Sequence, residues 1–107
     1  EQEGGSVKEI DDTLTVVHEP EQSRFALHED GRTAVLDYQR VGERLVLPHT
    51  GVPREMEGRG IGSRLAKTAL EWAREEGLRV IPICPFIRSY LKRHPEYADL
   101  LTRGESA

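Results

Sequence analysis

The sequence predicts a small mixed α/β domain in which an antiparallel β-meander is followed by a helix, a fifth strand and a second helix. Three observations support this prediction. β-prone runs alternate with turn residues in the first half of the chain. A long amphipathic helix pattern then covers 60–76. A short apolar run follows it between Gly77 and Pro85.

Four strands are predicted before the helix. They cover 14–18, 23–29, 32–40 and 44–52, separated by Pro20, the Asp30-Gly31 hairpin signal and the Gly42-Glu43 turn. In the fourth run, Leu45, Leu47 and His49 alternate with Val46, Pro48 and Thr50, which predicts two faces. Pro48 indicates an edge strand, a bulge or a strand that parts from its neighbour.

The clearest element is the helix at 60–76. Its apolar stripe is formed by Ile61, Leu65, Ala69, Trp72 and Ala73, and Gly77 stands where a helix commonly ends. The run 78–84 is too short for a helix before Pro85, so we expect a buried strand parallel to the fourth. A second helix is predicted at 86–93 and a final turn or helix at 96–102.

Composition indicates one domain with a single core. The chain has 107 residues, 36% of them hydrophobic, and a net charge of −4. The absence of a basic block argues against a nucleic-acid partner, and no apolar run has membrane-spanning length. One cysteine cannot form an internal disulfide, which fits a reducing compartment, so we expect a cytoplasmic protein. The histidines and the cysteine show no metal-ligand spacing, and we expect no metal.

The two ends of the chain are predicted to lie outside the folded domain. Residues 1–13 are acidic, contain Gly4-Gly5 and have few apolar side chains, which is typical of a flexible tail. The domain is predicted to cover 14–102, and 103–107 to form a short C-terminal tail.

The loop before the helix is the most informative segment. Gly58, Gly60 and Gly62 stand at alternating positions, so backbone can approach a ligand closely. The free N–H groups and the dipole of the following helix favour a phosphate, and a pyrophosphate best. The loop is not a P-loop, because no Lys-Ser/Thr pair follows the glycines, and its GxGxG spacing differs from the dinucleotide fingerprint.

This loop resembles the acetyl-CoA loop of the GNAT-type N-acetyltransferases. Their pattern is Gln or Arg, two residues, Gly, one residue, and then Gly or Ala. Gly60 and Gly62 match the two small positions, whereas Glu57 replaces the Gln or Arg. The glycine loop, Tyr90 and the His94-Pro95 pair together make the chain similar to a short, minimal GNAT-like subfamily of predicted acetyltransferases. The similarity covers roughly 14–101. Compared with larger members, we expect this chain to lack the helical pair after the first strand and the sixth and seventh strands, which usually build the acceptor pocket.

The resemblance implies that acetyl-CoA lies in a wedge between splayed fourth and fifth strands. The implied binding residues are Thr50, Val52, Glu57, Gly58, Arg59, Gly60, Ile61, Gly62, Ser63 and Arg64. Because an acid beside a pyrophosphate is unfavourable, either Glu57 turns outward or Arg59 and Arg64 carry the electrostatics of the loop. The implied activity is acetyl transfer to an unknown amine. Two alternatives stay open, namely a non-catalytic CoA-binding regulatory module and a small interaction domain without a ligand.

Three side chains are candidates for chemistry. Cys84 is either a buried hydrophobe or a thiol that accepts the acetyl group first, with His49 as its base. Tyr90, by resemblance, would protonate the departing CoA thiolate, and is otherwise an ordinary aromatic residue. His49 has a structural alternative as well. His18 and His28 are expected at the surface.

Overall fold

The computed structural model of the chain describes residues 15–101. The predicted tails at 1–13 and 103–107, and the predicted domain ends at 14 and 102, lie outside the described residues. The strands are β1 Val17–Glu19, β2 Arg24–Glu29, β3 Arg32–Val41, β4 Arg44–Gly51 and β5 Arg79–Pro82, and the helices are α1 Ile61–Glu76 and α2 Pro85–Arg93. Short 3-10 helices cover Pro20–Gln22, Arg54–Met56 and Pro95–Leu100. This order confirms the predicted meander followed by α-β-α.

The five strands form one sheet in the order β1-β2-β3-β4-β5. Antiparallel pairing joins β1 through β4, and β4 pairs with β5 in parallel. The parallel ladder ends where Leu47 faces Pro82, although β4 continues to Gly51. One more backbone bond, from the Cys84 N–H to the Leu47 carbonyl at 2.9 Å, closes the pairing. The two strands therefore part at their carboxyl ends, as predicted.

A β-bulge interrupts the pairing of β3 with β4. Asp37 faces His49, but Gln39 faces Val46, so β4 carries one extra residue in the stretch that contains Pro48. A proline has no backbone N–H to donate to the ladder, and a bulge accommodates it. The bulge is one of the three outcomes that the sequence indicated for this position.

The bulge reverses the alternation of side chains along the end of β4. Leu45 and Leu47 are buried, whereas His49 is exposed. Thr50, paired with the buried Leu36, takes the core-facing position instead. The predicted common face of Leu45, Leu47 and His49 is therefore wrong, because an inserted residue shifts a period-2 pattern to the opposite face.

The core lies between α1 and the sheet. The residues of α1 that are buried are Ile61, Leu65, Ala66, Ala69, Leu70 and Ala73. Gly77 ends the helix with a left-handed φ of 70° and donates its N–H to the carbonyl groups of the last turn. This confirms the predicted helix. Within residues 15–101, no helix is long and apolar enough to cross a membrane.

An aromatic cluster joins β1 to α1. His18 stacks on Phe25 with ring centroids 4.3 Å apart, and its Nε2 lies 2.6 Å from the Tyr38 hydroxyl. Trp72 meets the imidazole edge-on at 4.7 Å. The prediction that His18 lies at the surface is therefore wrong, since the ring is half-buried among aromatic side chains, while His28 is exposed as expected.

Candidate functional site

A cleft of about 530 Å³ opens where β4 leaves β5. Its walls are the end of β4, the loop that follows and the first turn of α1. The lining residues are Thr50, Gly51, Val52, Met56, Glu57, Gly58, Gly60, Ile61, Gly62, Ser63 and Phe86. The structure thus brings together all the predicted binding residues except Arg59 and Arg64.

The glycine loop presents backbone to this cleft. Gly60 is the N-cap of α1 and has a left-handed backbone, with φ 76° and ψ 16°, which a side chain would strain. A Cβ at this position would meet no described atom within 4 Å. No side-chain hydrogen bond caps α1 in the described structure. The N–H groups of its first turn therefore remain available to an anion, which the helix dipole also favours.

Phe86 is a wall of the cleft that the sequence did not reveal. A Cβ at Gly62 would lie 2.9 Å from Cζ of the Phe86 ring. Gly62 is thus required because an aromatic ring from α2 approaches the backbone of α1. Gly51 and Met56 also line the cleft and were not predicted. An aromatic residue in an amphipathic helix carries no local signal that distinguishes a cleft wall from ordinary packing.

The charge around the cleft differs from expectation. Glu57 is the one charged residue in its lining, and it is exposed. Arg59 donates to Glu29 from both terminal guanidinium nitrogens, Nη1 and Nη2, with Nη2 and Oε2 2.8 Å apart. This pairing raises the pKa of Arg59 and lowers the pKa of Glu29. Arg59 and Arg64 line a neighbouring pocket, so backbone groups supply the positive potential inside the cleft itself.

Cys84 lies just beyond the last paired residues of β4 and β5, at the N-cap of α2. Its side chain is buried, with 6% exposed, and its Sγ lies 3.5 Å from the Thr50 hydroxyl oxygen. Burial raises the pKa of the thiol. The Thr50 hydroxyl and the backbone N–H groups of Ile87 and Phe86 outweigh burial, so that the net pKa is lowered. No side-chain hydrogen bond caps α2. We therefore attribute the lowering of the Cys84 pKa by the Ile87 and Phe86 N–H groups to the positive potential at a helix N-terminus.

His49 is placed away from this thiol. Neighbouring strand residues point to opposite faces, so His49 lies across β4 from Thr50, the residue that touches Cys84. Its imidazole leans over Gly51, where an added Cβ would be 3.0 Å from Nε2. The structure therefore brings Thr50, rather than the predicted base, to the sulfur.

Tyr90 is buried beside the start of α1. It stacks on His94 with ring centroids 4.0 Å apart. Burial is the main cause that raises the pKa of its hydroxyl. It lines the neighbouring pocket together with Arg59 and Arg64, not the cleft that holds Thr50. Among residues 15–101, no three His, Cys, Asp or Glu side chains are grouped so that they could hold a metal ion.

Comparison with known proteins explains this arrangement. A family model described as GCN5-related N-acetyl-transferase matches residues 24–100, from β2 to the last 3-10 helix. The chain belongs to this family. The match spans the glycine loop, both walls of the cleft and Cys84, and it confirms the predicted resemblance to this family.

Animal relatives are similar to this chain in sequence, and a bacterial protein of solved structure has the same fold. The chain is 40% identical to Protein NATD1 of Mus musculus over 85 residues, which is 77% of each chain. It is 35% identical to Protein NATD1 of Danio rerio over 99 residues, covering 88% of this chain and 90% of that one. The solution structure of a GCN5-like protein from Staphylococcus aureus superimposes with a TM-score of 0.68 at 29% identity. It covers 87% of this chain and 92% of its own.

Proposed function

We propose that the protein binds acetyl-CoA in the cleft and transfers its acetyl group to an amine. The observation that carries this proposal is the glycine-lined opening between β4 and β5, with the N-terminus of α1 at its end. Family membership supports the reaction class. A single free cysteine fits a reducing environment, so we propose that the reaction takes place in the cytoplasm.

The residues present fit this ligand. Gly58 and Gly60 both have left-handed backbones, and neither would have a described atom within 4 Å of an added Cβ. The space directly over the loop is thus open to a pyrophosphate, held by N–H groups of the first turn of α1. The cleft volume of about 530 Å³ lies within the range for ligand pockets, roughly 300–1,000 Å³.

The chain's own groups have distinct parts in the transfer. The ligand supplies an activated thioester, whose C–S bond breaks as a neutral amine nitrogen bonds to the acetyl carbon. The proton that the nitrogen then loses balances the one that the CoA thiolate gains. Beyond Leu47, β4 is free of β5, so backbone N–H groups near Val52 can orient and polarise the bound carbonyl. By resemblance, Tyr90 is the proposed proton donor to the departing thiolate, since a tyrosine hydroxyl is protonated near neutral pH. In a two-step variant, Cys84 accepts the acetyl group before the amine does.

The positions of two candidate catalytic side chains favour a second function, that of a CoA-binding module without catalysis. His49 is exposed on the face of β4 opposite Thr50, and Tyr90 lines the neighbouring pocket. If no amine is acetylated while CoA binds normally, this regulatory role is the better description.

The test is calorimetric titration with acetyl-CoA. Gly60→Val should abolish binding, because its Cβ would stand in the ligand's path. Gly42→Val is a matched control: Gly42 has a φ of 62° and open space around it, but lies in the β3–β4 turn. Both variants should lose about 1–3 kcal/mol of stability from the strained backbone. Unchanged affinity in folded Gly60→Val would contradict the proposal. Release of free CoA with a panel of amines then separates the enzyme from the binding module.

A further inference from the structure

Both α1 and α2 pack on one face of the sheet. Phe25, Leu36 and Leu47 are buried on that face, in the same core as the two helices. Because side chains alternate along a strand, the residues between them point to the opposite side. We call that side the outer face; its central residues are Val35, Asp37, Gln39, Arg44, Val46 and Ile81. Within residues 15–101, the link from β1 to β2 holds only the 3-10 helix Pro20–Gln22, which is too short to cover this face.

The most exposed large hydrophobic side chains of residues 15–101 all lie on the outer face. Val17, Val41 and Ile83 are 40%, 61% and 57% exposed. Each stands next to a side chain that faces α1, so alternation along the strands directs it outward. Single exposed hydrophobic residues are ordinary, whereas several on one uncovered face indicate a surface that another molecule covers.

An apolar strip crosses the parallel part of the outer face. Val46 on β4 lies beside Ile81 on β5. Val41 on β3 is the diagonal neighbour of Val46, and Ile83 follows Ile81 on the same side. We call these four residues the apolar strip. Parallel strands are almost always covered on both faces, so the pairing of β4 with β5 makes a bare strip here unusual.

Charged residues flank the strip in a self-complementary order. Along the strands, Asp37 lies on one side of the row formed by Gln39 and Val46, and Arg44 lies on the other side. A two-fold axis along this row, between two sheets packed face to face, turns the Asp37 end of one copy onto the Arg44 end of the other. The same pair of opposite charges then forms twice, as an interface between identical surfaces requires.

We infer that two copies of this chain pack their outer faces together as a two-fold dimer. The apolar strips interdigitate at the centre, and Asp37 of each copy pairs with Arg44 of the other at the rim. Five strands span about 19 Å and the steps from Val35 to Val41 about 20 Å, so each face offers on the order of 400 Å². A standard interface buries about 800 Å² per partner, so this dimer is weak and depends on protein concentration. Its formation requires no acetyl-CoA.

Sedimentation equilibrium of the unmodified chain and of charge variants tests this inference. The average mass of the unmodified chain should rise from monomer towards dimer between about 1 µM and 1 mM, the range of weak affinities. Asp37→Arg and Arg44→Glu should each stay monomeric, because each variant places like charges in both rim pairs. An equimolar mixture of the two variants should associate again, since opposite charges then face each other in both pairs.

Two further variants locate the contact. Ile83→Ser should weaken association about tenfold, because it removes an apolar side chain from the strip of each copy. Glu75→Arg, which reverses an exposed charge on α1, should leave association unaltered. Circular dichroism should show that all four variants are folded, since they alter exposed or half-exposed side chains.

Other outcomes overturn the inference. An unmodified chain that stays monomeric at every concentration would exclude a second copy as the occupant of the outer face. If that monomer binds the dye ANS, the face serves a different protein, and if it does not, another segment of the same chain covers the face. Association that Glu75→Arg abolishes, while the two rim variants retain it, would place the contact on α1 instead.

Discussion

The ring of Phe86 lies so close to Gly62 that a Cβ at position 62 would be 2.9 Å from its Cζ atom. This contact joins the start of α2 to the first turn of α1, and both residues line the cleft. Gly62 lies inside α1 and does not have a left-handed backbone. Because Gly62 has no side chain, the Phe86 ring can lie close to α1 and form part of the cleft wall.

Replacement of Gly62 by alanine should therefore destabilise the protein. Helix propensity alone would favour alanine by about 1 kcal/mol, whereas a forced shift of a packed ring costs about 1–3 kcal/mol. We expect a net loss of stability in urea denaturation and weaker binding of acetyl-CoA. The double variant Gly62→Ala/Phe86→Leu should recover part of the stability, as expected for residues in contact. A stabilised Gly62→Ala protein would show that the ring is not held there.

Glu57 should weaken the binding of a phosphate ligand. It is the charged residue in the lining of the cleft, near the N-terminus of α1. Glu57→Gln should tighten CoA binding by roughly 0.5–1 kcal/mol, and the gain should shrink with added salt. Glu55→Gln is the matched control: Glu55 is exposed two residues away, pairs with Arg32 at 3.5 Å and does not line the cleft. If Glu57→Gln instead weakens binding, the carboxylate makes a specific contact with the ligand.

The glycine loop could be located from the sequence because the cleft residues from Met56 to Ser63 are nearly contiguous in the chain. A turn from strand to helix fixes their relative positions by local geometry. The strand order was predictable for a similar reason, since hairpin signals and one helix between two strands leave few topologies.

Contacts between distant segments could not be predicted in the same way. The rest of α1, a turn and β5 separate Phe86 from Gly62 in the chain, and the direction of the Phe86 ring depends on how α2 packs against α1. The bulge near Pro48 could be suspected, but its exact register decides whether Thr50 or His49 faces Cys84. His18 has the polarity of a surface residue, and only the assembled sheet shows that aromatic rings surround it.

His18 should make stability depend on pH. Burial lowers the pKa of its imidazole, against the opposing effects of Glu21 and Glu76. A group with a depressed folded-state pKa stabilises the fold above the unfolded pKa of about 6.5, and this stability is lost as pH falls. The free energy of unfolding should thus decline from pH 7 towards pH 5. His18→Gln should flatten this decline, whereas His28→Gln, at an exposed site, should change it less. An unaltered slope in His18→Gln would contradict the prediction.

Thr50 should hold down the pKa of Cys84. The hydroxyl lies 3.5 Å from the sulfur and can donate to a thiolate. Alkylation by iodoacetamide should therefore show a midpoint below about 8.5, the value of a free thiol, and Thr50→Val should move it upwards. Thr33→Val is the control, since its hydroxyl lies 2.9 Å from His28 Nδ1 in the β2–β3 hairpin. Equal midpoints in the Thr50→Val and unmodified proteins would assign the lowered pKa to the N-terminus of α2.

The role of Cys84 in transfer is decided by incubation with acetyl-CoA alone. If the thiol accepts the acetyl group, its sulfur bonds to the acetyl carbon and CoA leaves, so mass spectrometry should find one acetyl group that hydroxylamine removes. Cys84→Ser should then abolish turnover while CoA still binds. If the amine attacks directly, no adduct should accumulate, and Cys84→Ala should retain most activity while Tyr90→Phe slows the reaction. The placement of Thr50, rather than a histidine, beside the sulfur leaves the thiol without a neighbouring base of the predicted kind. We therefore expect the direct route, and a stoichiometric acetyl adduct on Cys84 would show that this expectation is wrong.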